Sequence, residues 1–324
     1  MKPTIAIIEG GYSHEKVISL KSAATVFENI DLAKYTPIKV RVDEEGWVAF
    51  INDNKIPINR DDFSVIVNNE KIKFDFAFIV IHGTPGEDGK LQAYFDMIGL
   101  PYSTCNHLAA TLTFNKYVCN QFLKSLGITV ANAVLVRKNE IIELEKIIKT
   151  VGLPCFVKPA DGGSSFGVSK VKEGNELLVA IQKAQEHGTE VLIEAFMEGR
   201  EFTNGVYLSE NGIKVLPITE IITQNEFFDF EAKYLGESQE ITPAAINAEM
   251  TNRIKQITYK VYQILGLKGM CRVDYILVGK EPHVIEVNTV PGLSAQSLIP
   301  QMAAYEGISL KELFSEVIKV ATKK

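Results

Sequence analysis

The sequence predicts an α/β chain with α+β parts: a doubly wound, largely parallel sheet over the first hundred residues, followed by two smaller mixed segments. Three observations carry that expectation. Short apolar runs alternate with helical patterns up to Ile98; a glycine-rich loop follows the strand-like Cys155–Lys158; and two strand-like stretches near the end both carry acids. Strands separated by helices pair in parallel, because the crossover leaves room for a helix.

In the first part the strands are read at Ile5–Ile8, Thr36–Val42 and Phe74–Ile81, with helices over 15–30 and Leu91–Ile98. Between Trp47 and Ile72 the pattern loosens into polar turns at Asn52-Asp53-Asn54 and Asn68-Asn69, which reads as hairpin material or a loop excursion. From Leu108 to Leu126 apolar residues recur at helical spacing up to Gly127, and Leu144–Thr150 ends similarly at Gly152. The middle segment then reads as the strand Cys155–Lys158, a loop, the strand Val168–Val171, a helix over Glu176–Glu186 and the strand Glu190–Glu194. The last part holds a long helix over roughly 248–265, a hairpin, and a terminal helix from about Leu310.

At 324 residues and 46% hydrophobic content the chain has enough apolar material for two or three cores. Its 34 basic and 40 acidic residues leave a net charge of −6, which excludes a general field for nucleic acid or an anionic membrane. The amino-terminal run Lys2 to Glu9 has no apolar leader, and no stretch nears the roughly 18 apolar residues of a membrane span. A cytoplasmic protein is expected. Cys105, Cys119, Cys155 and Cys271 fit neither a zinc ribbon nor a redox pair, and read as buried, reduced thiols.

Three segments carry chemistry. Gly10-Gly11-Tyr12-Ser13 lies between a strand and a helix, where backbone amides can hold an anion; the alternative is a plain tight turn, with Glu15 capping the helix. It is not a dinucleotide fingerprint. Lys158 precedes the loop Pro159 to Gly167, whose small residues can wrap phosphates; a Walker motif has its lysine after the last glycine, so a P-loop is disfavoured, and a surface hairpin is the alternative. In Met270–Ile276 and His283–Asn288, alternation puts Arg272 with Asp274, and Glu286 with Asn288, on single faces. A three-residue turn at Gly279-Lys280-Glu281 would set Asp274 opposite Glu286. Carboxylates so placed repel unless a hard divalent cation joins them, and magnesium usually shares such ligands with phosphates. The alternative is an exposed polar face with Arg272 as counterion.

Taken together, Ile81-His82-Gly83 with Gly86-Glu87-Asp88-Gly89, the Lys158 loop, Glu231-Ala232-Lys233-Tyr234, Arg272-Val273-Asp274 and Glu286 to Gly292 resemble successive signatures of D-alanine:D-alanine ligases, in family order and spacing. The resemblance spans Gly10 to Leu298. It implies a three-domain ATP-grasp architecture: a Rossmann-like substrate domain at 1–103, a central subdomain with the phosphate loop at 104–194, and a metal-bearing domain at 195–324 with a lid over 223–243.

It also implies roles. Lys116 and Lys158 would hold the phosphates of ATP under the Ser164-Ser165 loop; Glu194, Ala195, Phe196, Met197 and Glu201 would face adenine and ribose; Lys233 would approach the γ-phosphate. Asp274, Glu286 and Asn288 would hold two magnesium (or manganese) ions. Glu15 would bind the ammonium of the first D-alanine, in a trio with Ser164 and Tyr234, with His82 near by. Arg272 and the Gly292 amide would stabilise the oxyanion, and Ser297 with Leu298 would receive the second carboxylate. A homodimer is implied as well. Two departures stand out: Ala195 replaces a lysine frequent in the family, and Thr84-Pro85 makes the histidine loop less glycine-rich. A ligase taking D-lactate or D-serine second is the nearest rival, a non-catalytic nucleotide-binding relative the next.

Overall fold

The computed structural model of the chain describes residues 2–161, 167–223 and 238–323. Its first sheet has the order β4-β3-β2-β1-β7, from β1 (Thr4–Gly10), β2 (Thr36–Asp43), β3 (Gly46–Ile51), β4 (Asn54–Pro57) and β7 (Phe76–Ile79). β1 pairs in parallel with both β2 and β7, while β3 and β4 extend the edge antiparallel. The stretch the sequence leaves loose thus becomes this edge and a separate hairpin, β5 (Ser64–Val67) with β6 (Glu70–Lys73). Asn52, Asp53, Asn68 and Asn69 take the left-handed turn conformation that short polar side chains tolerate.

The run Ile5-Ala6-Ile7-Ile8 is apolar throughout because both faces of the sheet are covered. Ile5 and Ile7 pack toward α1 (Lys16–Asn29), Ala6 and Ile8 toward α2 (Lys90–Ile98). All four are fully buried.

The predicted helix over 108–126 is two helices, α3 (His107–Phe114) and α4 (Lys116–Ser125). Asn115 breaks it: its backbone is extended, its side chain accepts from the Val118 amide as an N-cap, and its Nδ2 donates to Glu190 Oε2 at 3.0 Å. The break gives Lys116 the first helical position. Both helices pack into the core under the third sheet.

The second sheet, β10-β9-β11-β8, joins β8 (Ala133–Arg137), β9 (Cys155–Pro159), β10 (Ser169–Val171) and β11 (Glu190–Ala195). The helices α5 (Leu144–Val151) and α6 (Leu177–Gln185) cover one face of it. The third is antiparallel, β14-β13-β12-β15-β16, built from β12 (Arg200–Ser209), β13 (Gly212–Thr223), β14 (Ser238–Ile241), β15 (Met270–Val278) and β16 (Glu281–Asn288). Helix α7 (Ala248–Ile264) backs it, and α8 (Leu298–Tyr305) and α9 (Leu310–Thr322) follow. A Ser309–Glu312 capping box starts α9, whose Phe314 meets Phe78 of β7 at 5.4 Å, so the terminal helix closes the first sheet.

The sheets meet closely. At Gly269 (φ +64°) an added Cβ would fall 1.9 Å from the Ser103 carbonyl, so only glycine lets the start of β15 pass beneath the end of the first unit. The four cysteines are buried and free, as expected. Among the described residues no helix is long and apolar enough to cross a membrane.

Candidate active site

A cleft of about 530 Å³ opens between the first sheet and the third. Its walls include Glu15 and His82 from the first unit, Lys116 from α4, Arg272, Glu286 and Asn288 from the β15–β16 hairpin, and Gly292, Ser297 and Leu298 beyond it.

The hairpin places the acids by a route the sequence does not announce. Its turn has two residues, Gly279 and Lys280, not three, since Val278 already pairs with Glu281. A two-residue turn alone would put Glu286 opposite Val273 and on the wrong face. A bulge at Ile285 restores the register: Asp274 opposes Glu286 and Arg272 opposes Asn288. Asn120 Nδ2 donates to the Ile285 carbonyl at 3.0 Å and fastens the bulge to α4. One turn earlier on the same helix, Lys116 Nζ lies 3.5 Å from Glu286 Oε2.

Arg272 donates Nε and Nη2 to the two oxygens of Asp274, each at 2.8 Å. Thr203 Oγ1 adds a bond at 2.6 Å and Asn288 Nδ2 one at 3.0 Å. Arg272 is thus the counterion of Asp274, but the face is no exposed surface: the two side chains are only 16% and 15% accessible. Burial alone would lower the Lys116 ammonium; Glu286, Glu87 and Glu15 outweigh it and hold it raised.

The donors fit a divalent cation shared with a phosphate ligand. Two carboxylates stand in register with an amide side chain on the same face, all hard oxygen donors: Glu286 and Asn288 line the cleft, and Asp274 is bonded to Arg272 and Asn288, which do. Among the described residues no group of three or more His, Cys, Asp or Glu side chains could hold a metal ion by itself, so the set here is two carboxylates and an amide.

Around β1 two readings change. The amides of Gly10, Gly11 and Tyr12 are spent on Ser19 Oγ, the Val42 carbonyl and the Thr84 carbonyl, so these three are not available to an anion and the turn reads as a plain tight turn. Glu15 occupies the N-cap position of α1 yet makes no side-chain cap; its carboxylate lies against the His82-Gly83 loop, 3.4 Å from where a Gly83 Cβ would stand. Burial holds the His82 imidazole below its ordinary value, with Glu15 and the Val290 backbone pulling the other way. Ser22 lies 3.4 Å from His82 Nε2 and accepts from the Leu293 amide at 3.2 Å, tying the histidine loop to the Gly292 turn. Gly292 is itself pressed on Ser297, whose Oγ would lie 2.9 Å from an added Cβ.

Lys158 and Glu194 form an ion pair on adjacent strands of the second sheet and do not line this cleft. Ala195, Phe196 and Met197 run out of β11; the Ala195 and Phe196 amides donate to Asn132 and Pro154, and Lys170 lies 4.2 Å over the Phe196 ring. Glu201 sits in β12 between Ile221 and Ile276. Ser164, Ser165, Lys233 and Tyr234, with most of the expected lid, lie outside the described residues.

Sequence reasoning gave no individual role to Ser22, Thr203, Glu87 or Glu240, although Glu87 falls in the Gly86–Gly89 signature and Glu240 in the expected lid. Ser19 and Ser22 were legible as polar residues at helical spacing on the buried stripe with Ala23 and Val26. Glu87 accepts from the Gly83 amide at 2.7 Å. Desolvation, then the charge of Glu15, pushes its carboxyl up to about 8, with Glu286 adding and the Gly83 amide and Lys116 opposing. The folded value lies above the ordinary 4.5, so the stabilisation tied to its proton is full below that pH and is lost as pH rises to about 8. Glu87→Gln, fixed neutral and of equal shape, is therefore expected to melt above the parent at about pH 8.5 and with it near pH 4.5, in chelator-treated protein. An equal gap at both pH values would rule out the carboxyl charge as the cause.

Known proteins resemble the chain over its whole length. The D-ala D-ala ligase N-terminus profile matches residues 4–105 and the D-ala D-ala ligase C-terminus profile residues 122–319. A D-alanine--D-alanine ligase of Phocaeicola vulgatus is 48% identical over 98% of this chain and 99% of its own, and one of Flavobacterium johnsoniae is 49% identical over 98% of each. Among solved structures, the VanG D-Ala:D-Ser ligase of Enterococcus faecalis superposes with a TM-score of 0.89 at 32% identity, covering 99% of this chain and 100% of that one. A Bacillus anthracis D-alanine--D-alanine ligase complexed with ATP gives 0.80 at 27% identity, covering 99% and 97%.

Proposed function

Because the chain belongs to the D-alanine–D-alanine ligase family, with the ATP-grasp fold, its reaction is the ATP-dependent joining of two D-alanines, and we propose that the Glu15–Arg272–Glu286 cleft performs it. The observation that carries this assignment is the convergence in one cleft of Arg272, Glu286 and Asn288 with Lys116, Glu15 and His82, Arg272 being held by Asp274. The product, D-alanyl-D-alanine, fits peptidoglycan precursor synthesis.

A carboxylate is a poor acyl donor, since its leaving group would be oxide. ATP phosphorylates the first D-alanine, the amine of the second attacks the carbonyl, the C–O bond to phosphate breaks, and ADP and phosphate are released. Glu15 would hold the first ammonium, with neutral His82 beside it. Lys116 and Lys158 would neutralise phosphate charge, and Arg272 with the Gly292 amide would meet the oxyanion of the tetrahedral intermediate. Leu298 and Ser297, at the N-terminus of α8, would take the second carboxylate, as helix dipoles favour. Two magnesium ions at Asp274, Glu286 and Asn288 would supply charge neutralisation in phosphoryl transfer.

A homodimer formed through the first unit is part of this proposal. Met97 and Leu108, 80% and 68% exposed on helices joined by the Asp96–His107 contact, offer it an apolar patch. A cytoplasmic site of action suits a reaction that consumes ATP.

The test is incubation of purified protein with ATP, magnesium and D-alanine, with D-lactate, D-serine and L-alanine in parallel, followed by mass spectrometry. Dipeptide and phosphate in equal amounts from D-alanine are expected. Phosphate without dipeptide, or preference for D-lactate, would overturn the reading.

A further inference from the structure

The roles above leave one charged group of the substrates without a partner: the ammonium of the second D-alanine. On β14, Glu240 pairs with Ile221; two residues before Ile221, Thr219 pairs with Thr203, Thr203 with Asp274, and Asp274 with Glu286. Strand alternation therefore brings Glu240 out on the same face as Asp274 and Glu286. Its half-buried carboxylate lines the cleft together with Arg272, Gly292 and Ser297. Gln301, one turn into α8, donates Nε2 to Glu240 Oε2 at 2.5 Å and to the Gln296 carbonyl at 2.7 Å. Glu240 is thus anchored to the helix whose N-terminus is assigned the second carboxylate.

Glu240 makes no ion pair among the described residues. Arg272, whose field reaches it, has two donors committed to Asp274. A carboxylate withdrawn from water is costly unless a cation meets it, and burial accordingly raises its pKa. Among the described residues no cation pairs with Glu240, and a zwitterionic substrate brings one.

We propose that Glu240 receives the ammonium of the second D-alanine and orients its nitrogen toward the carbonyl carbon of the acyl phosphate, which it attacks as the amine after one proton has passed to water, while the α8 N-terminus holds the carboxylate of the same molecule. This rests on the ligase reading above and adds a specificity contact to it. D-Lactate has a hydroxyl where D-alanine has its ammonium and gains nothing from an anionic partner, whereas D-serine keeps the ammonium.

Glu240→Gln preserves shape and the bond from Gln301. At equal D-alanine and D-lactate and saturating ATP, the ratio of dipeptide to depsipeptide is expected to fall about tenfold in this variant, as for loss of one charge-assisted hydrogen bond. The D-alanine concentration for half-maximal dipeptide formation should rise by a similar factor, the KM for ATP should stay constant, and Glu240→Asp should recover part of the ratio. A purely structural role would not move the ratio. If wild type makes dipeptide and the ratio is unchanged in folded Glu240→Gln, the inference falls alone; if wild type makes no dipeptide, the ligase reading falls and takes it along. Should Glu240→Gln fail to fold, Gln301→Leu, which frees the carboxylate from α8, must lower the same ratio or the inference fails.

Discussion

Glu286→Gln is expected to lower the rate of dipeptide formation by at least about a thousandfold, the size set by several kcal/mol of transition-state charge stabilisation. The substitution keeps the side chain's shape and the backbone that the Ile285 bulge and Asn120 hold in place, so folding should survive. What it removes is the negative charge at the point where the acid row meets Lys116. Without it the site loses a hard oxygen ligand, and Lys116 loses the largest of the charges that oppose its burial. ADP formation and dipeptide should fall together, because the defect lies in phosphoryl transfer, the step that makes the acyl donor. The check is ADP and dipeptide measured on the same samples, with a melting curve to establish folding. A loss smaller than tenfold would remove Glu286 from the centre of the site.

The pairing on which that prediction depends was legible in the sequence, though not for the reason alternation suggests. Arg272 and Asp274 do share a face, and Asp274 does oppose Glu286. A short turn and a bulge together produce the register that a longer turn would have given. Bulges of this kind are hard to read locally: Ile285 is an ordinary strand residue, and what stabilises its extra position is Asn120, 165 residues away. The break at Asn115 is similar. In sequence it is one polar residue within helical periodicity; in the structure Glu190 captures its side chain and the Ala160 carbonyl accepts from the Lys116 amide, which ties α4 to the ends of the two central strands, β9 and β11, of the second sheet.

Local pattern sufficed where local physics decides. The four apolar residues of β1 announce a strand covered on both sides, and the end of α4 at Gly127 follows from a left-handed glycine. The position of Glu240 depends on Gln301, distant in the chain, and Glu87, though bonded to nearby Gly83, owes its raised carboxyl to burial and to distant Glu15; pattern alone does not mark either as a carboxylate withdrawn from water. Of the two readings of Gly10 to Ser13, anion site or plain tight turn, the structure favours the turn for a related reason: the Gly10, Gly11 and Tyr12 amides are present, but Ser19, Val42 and Thr84 already use them.

Arg272→Lys is expected to cost two to three orders of magnitude in dipeptide formation, roughly what loss of one oxyanion donor costs elsewhere. Charge is conserved, so the loss must come from geometry. The guanidinium presents two parallel donors to Asp274 at 2.8 Å each while its remaining N–H groups are directed elsewhere, and a lysine ammonium cannot reproduce that fork. The stoichiometry of products separates two roles. If Arg272 acts on the tetrahedral intermediate, the acyl phosphate still forms in Arg272→Lys and is lost to water, so ADP will exceed dipeptide. If Arg272 serves chiefly to orient Asp274, which also accepts from Thr203 and Asn288, phosphoryl transfer fails first and ADP falls in step with dipeptide. The first pattern is expected, because Thr203 and Asn288 still hold Asp274 once the fork is gone, whereas none of the groups assigned to the oxyanion replaces the guanidinium. The second would move Arg272 from the acyl transfer step to the upkeep of the acid row.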